Sequence, residues 1–293
     1  MTQGPRSAST TPGDGAAPVE AGHGEATRGV AARGGAMAPA VSSPASWLRF
    51  LVGFLALWGL LAASSAADTT GRWRVAILAA TVVGAAVVEK VLYGTSATHA
   101  LRLLGLGRPA ARALVLAAAV SALVLLVFPL SAVVTGAPAR LRPDWAWWLL
   151  GTFAFNGVAE ELVWRGFTFR RLRDGRPFRA AVGWTMPLIA VTHVPIMLTS
   201  GPVVGVGAML VAAVTSIPFS YLYEVGGSTV WAPAVVHTAI DSFKLFLIPA
   251  AAVTTFSLLL IAVSLVVPLL ALAVPRRVLA PAHADAADVP TAT

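Results

Sequence analysis

Ala159-Glu160-Glu161-Leu162-Val163-Trp164-Arg165-Gly166-Phe167 closes an apolar run that begins near Trp145. Two adjacent carboxylates and a guanidinium at the end of such a run must be paired or hydrated, and their cost depends on the solvent around them. Composition identifies that solvent. Of 293 residues, 57% are hydrophobic and 12% charged, and the mean hydropathy is +0.78, too apolar for a water-soluble domain of this length. The chain reads as a multi-pass protein of the cell membrane. It holds no cysteine, which excludes disulfides, a thiolate nucleophile and any cysteine-ligated zinc or iron–sulfur centre.

Outward from this stretch, apolar segments recur at 48–67, 73–93, 112–134, 145–164, 179–199, 202–223, 229–248 and 251–274, each near the ~20 residues that cross a hydrocarbon core. They predict an all-α fold, a polytopic membrane helix bundle of about eight transmembrane helices. Pro129, Pro187, Pro195, Pro218, Pro233 and Pro268 interrupt several of them, which membrane helices tolerate when neighbours satisfy the freed backbone groups. The basic residues sort by side. Arg33, Arg49, Lys90, Arg102, Arg108, Arg112, the run from Arg165 to Arg179, Arg276 and Arg277 fall on the side of the N-terminus, against Arg72, Arg74, Arg140 and Arg142 on the other. This bias places both termini in the cytoplasm. It also explains the net charge of +8 as orientation, so nucleic acid is not an expected partner.

Residues 1–46 are rich in Gly, Ala, Pro, Ser and Thr without hydrophobic periodicity, and read as a disordered cytoplasmic tail rather than a signal peptide. Residues 47–275 form the helical domain and 276–293 a second disordered tail. The connector 94–111 mixes Leu101, Leu103, Leu104 and Leu106 with His99, Arg102 and Arg108, a pattern expected to lie on the headgroups.

Within the apolar runs, Glu160, Glu161, Arg165, His193, His237 and Asp241 are the candidate functional residues. Glu161 and Arg165 share a helix face four residues apart, as do His237 and Asp241, whereas Glu160 and Glu161 point about 100° apart. One carboxylate can thus be held by Arg165 while the other faces a cavity. Each group also has a structural reading: a hydrated acid for Glu160, an ion pair for Glu161 and Arg165, an interhelical hydrogen bond for His193, a local pair for His237 and Asp241 with Lys244 neutralising the aspartate. Taken together, acid/base groups on three separate spans suit a glutamate that takes a proton from water, with imidazole donors for an oxyanion. Glu89, Lys90 and Glu224 read as interfacial anchors, the tryptophans as an aromatic belt, and the arginines of 165–179 mostly as topology and anionic-lipid contacts.

Three motifs carry a resemblance. Glu160-Glu161-Leu-Val-Trp-Arg165 with Gly166-Phe167, Ile189-Ala-Val-Thr-His193, and His237-Thr-Ala-Ile-Asp241 after Gly227-Ser-Thr-Val-Trp231-Ala-Pro233 resemble the CPBP family of intramembrane peptidases, the CAAX prenyl endopeptidase and bacteriocin-processing group also called Abi. Ile189 stands where the family has an aromatic, and Asp241 where Asn is commoner. The likeness covers roughly residues 152–245. It implies an intramembrane glutamic endopeptidase that needs no cofactor. Glu160 would be the general base, His193 would orient or polarise water, His237 with Asp241 would hold the oxyanion-stabilising place, and Glu161 with Arg165 would keep the first motif in shape. An ionised Asp241 would repel a developing oxyanion, so it would have to be protonated, paired with Lys244, or limited to orienting His237. Expected partners are the bilayer and a peptide or lipid-anchored protein substrate. Two alternatives stay open: a zinc-dependent, metalloendopeptidase-like site built from the same carboxylates and imidazoles, and a non-catalytic membrane scaffold or self-immunity protein.

Overall fold

The computed structural model describes residues 41–279. The expected tail lies outside them up to residue 40, with His23 and Arg33, and so does the C-terminal tail from residue 280, with His283. Residues 41–46 already belong to the fold: Val41 is buried, and Ser43 caps the first helix through a reciprocal hydrogen-bond pair with Ser46, with Pro44 at the first helical position.

Thirteen α-helices follow among the described residues: α1 (Pro44–Ala67), α2 (Arg74–Tyr93), α3 (Ala97–Leu103), α4 (Ala111–Leu125), α5 (Val127–Thr135), α6 (Trp145–Thr152), α7 (Arg170–Arg173), α8 (Phe178–Thr192), α9 (Val194–Ser200), α10 (Pro202–Val225), α11 (Trp231–Ile240), α12 (Val253–Val266) and α13 (Arg276–Leu279). Between α6 and α7 the chain stays helical through two wider π turns, Phe153–Ala159 and Leu162–Phe169, making one rod from Trp145 to Arg173. Two-residue strands β1 (Arg140–Leu141) and β2 (Phe246–Leu247) pair antiparallel.

The membrane reading shows in which face is apolar. On α1, Phe50, Phe54, Leu57 and Leu61 are buried while Leu48, Leu51, Val52 and Leu55 are exposed. On α2, Ile77, Thr81, Ala85 and Glu89 form the buried stripe, and Val75, Val83, Val87 and Val91 face outward. Apolar side chains on the outside and a polar carboxyl inside is the pattern of helices solvated by lipid. Six helices among the described residues are long and apolar enough to cross a membrane: Pro44–Ala67, Arg74–Tyr93, Ala111–Thr135, Phe178–Thr199, Pro202–Val225 and Ala250–Ala273.

The two remaining apolar segments, 145–164 and 229–248, both carry the candidate site. Segment 145–164 lies in the rod: Trp145, Trp147, Leu149 and Leu150 are exposed, whereas no residue from Gly151 to Phe169 is, so from Gly151 on its surroundings are protein. Segment 229–248 holds only the ten residues of α11 before a tighter 3₁₀ turn over Asp241–Leu245. Ten residues rise about 15 Å, half of a ~30 Å hydrocarbon core.

The connector expected on the headgroups is instead docked against protein. Leu104 and Ala100 are fully buried, the Trp231 indole N–H donates to the Gly107 carbonyl at 2.8 Å, and the Val230 N–H donates to the Gly105 carbonyl at 3.0 Å. A Cβ at Gly166 would stand 2.3 Å from the Leu104 carbonyl oxygen, so the glycine after Arg165 lets the connector lie against the rod.

Candidate active site

Close crossing of the rod with α11 places the first and third motifs together. A Cβ at Gly157 would meet the Thr238 hydroxyl at 2.6 Å and the Ala234 carbonyl at 3.1 Å. On its other side α11 packs through Ala232, Val236 and Ala239 against Ala113, Ala117 and Val120 of α4, small residues that allow close approach. His237 is thereby held beside the two glutamates.

The adjacent carboxylates have separate environments. Glu161 is fully buried; its Oε1 accepts from Arg165 Nη1 at 3.0 Å and from His237 Nδ1 at 2.8 Å. Arg165 is buried as well, its guanidinium over the Phe219 ring at 4.9 Å. Glu160, turned away by its helical offset, keeps partial exposure and accepts at Oε1 from Asn156 Nδ2 at 2.8 Å. Its Oε2 stands 3.8 Å from His237 Nε2. Because a carboxylate only accepts, it is the Nδ1–H that His237 gives to Glu161, and Nε2 is the ring nitrogen that faces Glu160.

His193 reaches the same region through a chain break. Pro195 lacks an N–H and its ring crowds the preceding turn, so α8 ends at Thr192 and α9 starts at Val194. The His193 Nδ1–H donates to the Ile189 carbonyl at 2.9 Å, fixing the ring and leaving Nε2 to accept. Glu160, His193, Asn156, Lys244, Arg74 and Trp164 line one cavity of about 530 Å³.

Asp241 binds Lys244, its Oδ2 accepting from Nζ at 2.5 Å. Lys244 Nζ also donates to Asn156 Oδ1 at 3.0 Å. A continuous chain thus runs Asp241, Lys244, Asn156, Glu160. Asn156 was absent from the expected site, although its position four residues before Glu160 is the spacing at which helical side chains meet.

A second ionic cluster corrects two readings of the sequence. Glu89, expected at the interface, is fully buried and takes Arg170 Nη2 on Oε1 and Arg171 Nη2 on Oε2, each at 2.5 Å. Glu224 pairs with Arg173 and Arg276, both at 2.6 Å. Most arginines of 165–179 therefore hold the bundle together rather than lipid. Burial pushes the Arg171 guanidinium down from its usual value, neighbouring Arg170 adds to this, and Glu89 opposes it.

The metalloendopeptidase-like alternative finds no support. Among the described residues no three His, Cys, Asp or Glu side chains come together as a metal-ligating group; the donors around Glu161 include a guanidinium, and the Asp241 carboxylate is engaged by an ammonium.

Residues 142–243 match the family model described as "Type II CAAX prenyl endopeptidase Rce1-like", which agrees with the CPBP resemblance of the three motifs. No curated protein and no solved structure gives a significant match to the chain.

Proposed function

We propose, from the match of residues 142–243 to an Rce1-like CAAX endopeptidase family model and from the membrane-length helices around it, that this protein is an intramembrane endopeptidase in which Glu160 activates water. The observation that carries the reading is the division of labour between adjacent acids. Glu161 is committed to Arg165 and His237 at 3.0 and 2.8 Å, whereas Glu160 lines the cavity with His193.

Water between Glu160 and a substrate carbonyl gives up a proton to the carboxylate as its oxygen bonds to carbon, and the π electrons move onto the carbonyl oxygen. Collapse of the tetrahedral adduct breaks the C–N bond, and Glu160 returns the proton to the leaving amine. His193, locked through Nδ1, presents Nε2 to the water. His237, anchored by Glu161, stands beside Glu160. The apolar wall of Trp58, Leu61, Ile77 and Ile196 suits a substrate that enters from lipid, and the matched family name points to a prenylated peptide or protein tail.

Cleavage of a fluorogenic prenylated peptide by the purified protein in detergent tests this. Glu160→Gln keeps the acceptor for Asn156 but removes the base, and activity should fall by about 10²-fold or more, with the melting temperature little changed. Equal cleavage by the variant would refute the reading.

A further inference from the structure

The weak point of the third motif is Asp241, whose carboxylate cannot donate to an oxyanion. The structure resolves this by position. After Ile240 the helix tightens to a 3₁₀ turn, in which side chains three residues apart eclipse one another. Lys244 is thereby laid over Asp241, at 2.5 Å, and reaches across to Asn156 at 3.0 Å. The cavity wall carries Lys244 but not Asp241. What the cavity meets at this end is an ammonium, backed by a carboxylate that offsets its charge and so lowers the cost of holding a cation in a bundle.

We propose that Lys244 is a catalytic residue: its ammonium, fixed by Asp241 and Asn156, donates to the oxyanion of the tetrahedral adduct, in the place where a motif ending in Asn would offer an amide. An ammonium has three N–H donors. Two are taken by Asp241 and Asn156, and the third remains for the cavity. As water adds and the carbonyl π electrons move onto oxygen, the alkoxide takes up this hydrogen bond. When the C–N bond breaks and the carbonyl re-forms, the bond is released, and Lys244 neither gains nor loses a proton. Asp241 and Asn156 are positioning residues that act through Lys244. Asn156 also joins the donor to Glu160 at 2.8 Å, so base and donor are set by one amide.

The inference rests on the Glu160 reading, and the experiment separates the two. The chain has no cysteine, so Lys244→Cys introduces a single thiol. Alkylation with 2-bromoethylamine rebuilds a side chain of lysine length ending in an ammonium, and 1-bromopropane adds the same number of heavy atoms without charge. Removing one preorganised oxyanion donor lowers kcat by about 10²–10³-fold. Lys244→Cys should show that fall with KM within a few-fold of the parent, and aminoethylation should restore at least a tenth of kcat while propylation restores none. Recovery by both reagents, or kcat near the parent in the unmodified variant, would overturn the proposal. Should the thiol variant not survive purification, Lys244→Gln is measured in the same way: a lowered kcat at steady KM is expected, and an unchanged kcat overturns it. Glu160→Gln is run in parallel. If that variant is inactive while the Lys244 variants cleave at the parental rate, only the oxyanion assignment fails; if it is active, the general-base reading fails first.

Discussion

Arg165→Met perturbs the part of the site that holds its shape without touching the cavity. In the folded protein the Glu161 and Arg165 side chains are 0% and 3% exposed and joined at 3.0 Å. Removing one partner of such a pair strands the other, at about 3–5 kcal/mol. Here His237 still donates to Glu161 Oε1 at 2.8 Å, which compensates part of the loss, so the lower end applies. About 3 kcal/mol is roughly a hundredfold in the unfolding equilibrium, or roughly 6–12 °C in Tm for a chain of this size. The double variant Glu161→Gln/Arg165→Met removes both charges and keeps an acceptor for His237. Replacing a whole buried pair is often near neutral, so the double variant should be more stable than Arg165→Met alone. The control is Arg142→Met, whose pair with Asp144 at 3.2 Å is 32% and 54% exposed, expected to cost under about 1 kcal/mol. Thermal and denaturant unfolding in detergent measure all three. A loss below about 1 kcal/mol for Arg165→Met, or a double variant no better than the single, would refute this reasoning.

Gly157→Ala drives a methyl into Thr238 and the Ala234 carbonyl; it should destabilise by about 1–3 kcal/mol and, by shifting His237, lower peptide cleavage at least about tenfold. Glu89→Gln leaves Arg170 and Arg171 without their anion, and should cost about 3–5 kcal/mol in unfolding assays with kcat of the surviving folded fraction near the parent. Since the donor groups around the glutamates do not form a metal-ligating set, peptide cleavage should be indifferent to EDTA and 1,10-phenanthroline; chelator inhibition restored by zinc would contradict that.

Hydropathy made the six long helices legible, because a run of about 20 apolar residues has few fates other than a bilayer. The same averaging does not set α11 apart, since a short helix packed against α4 and the rod is as apolar as a lipid-facing one. Neighbours in sequence are readable: the Glu161–Arg165 pair follows from helical spacing, and Lys244, three residues on, is a legible partner for Asp241. Pairs brought together by folding are not. Glu89 meets Arg170 and Arg171 from 81 and 82 residues away, and no local pattern distinguishes such arginines from those that mark membrane orientation. Asn156 is hard to read for a different reason: an amide in an apolar run carries no charge to mark it, yet it joins Glu160 to Lys244.

The assignment of Glu160 as a base acting on water is met most directly by oxygen-18 incorporation in a single turnover. Enzyme in excess cleaves a prenylated peptide in ¹⁸O-water, and mass spectrometry reads both the new carboxylate of the product and the peptide that contains Glu160. One ¹⁸O in the first-turnover product, none in Glu160, and no product from Glu160→Gln over the same time are predicted. Label in Glu160 with ¹⁶O in the product, the mark of an anhydride between substrate and glutamate, or product formed by Glu160→Gln at the parental rate, would contradict it.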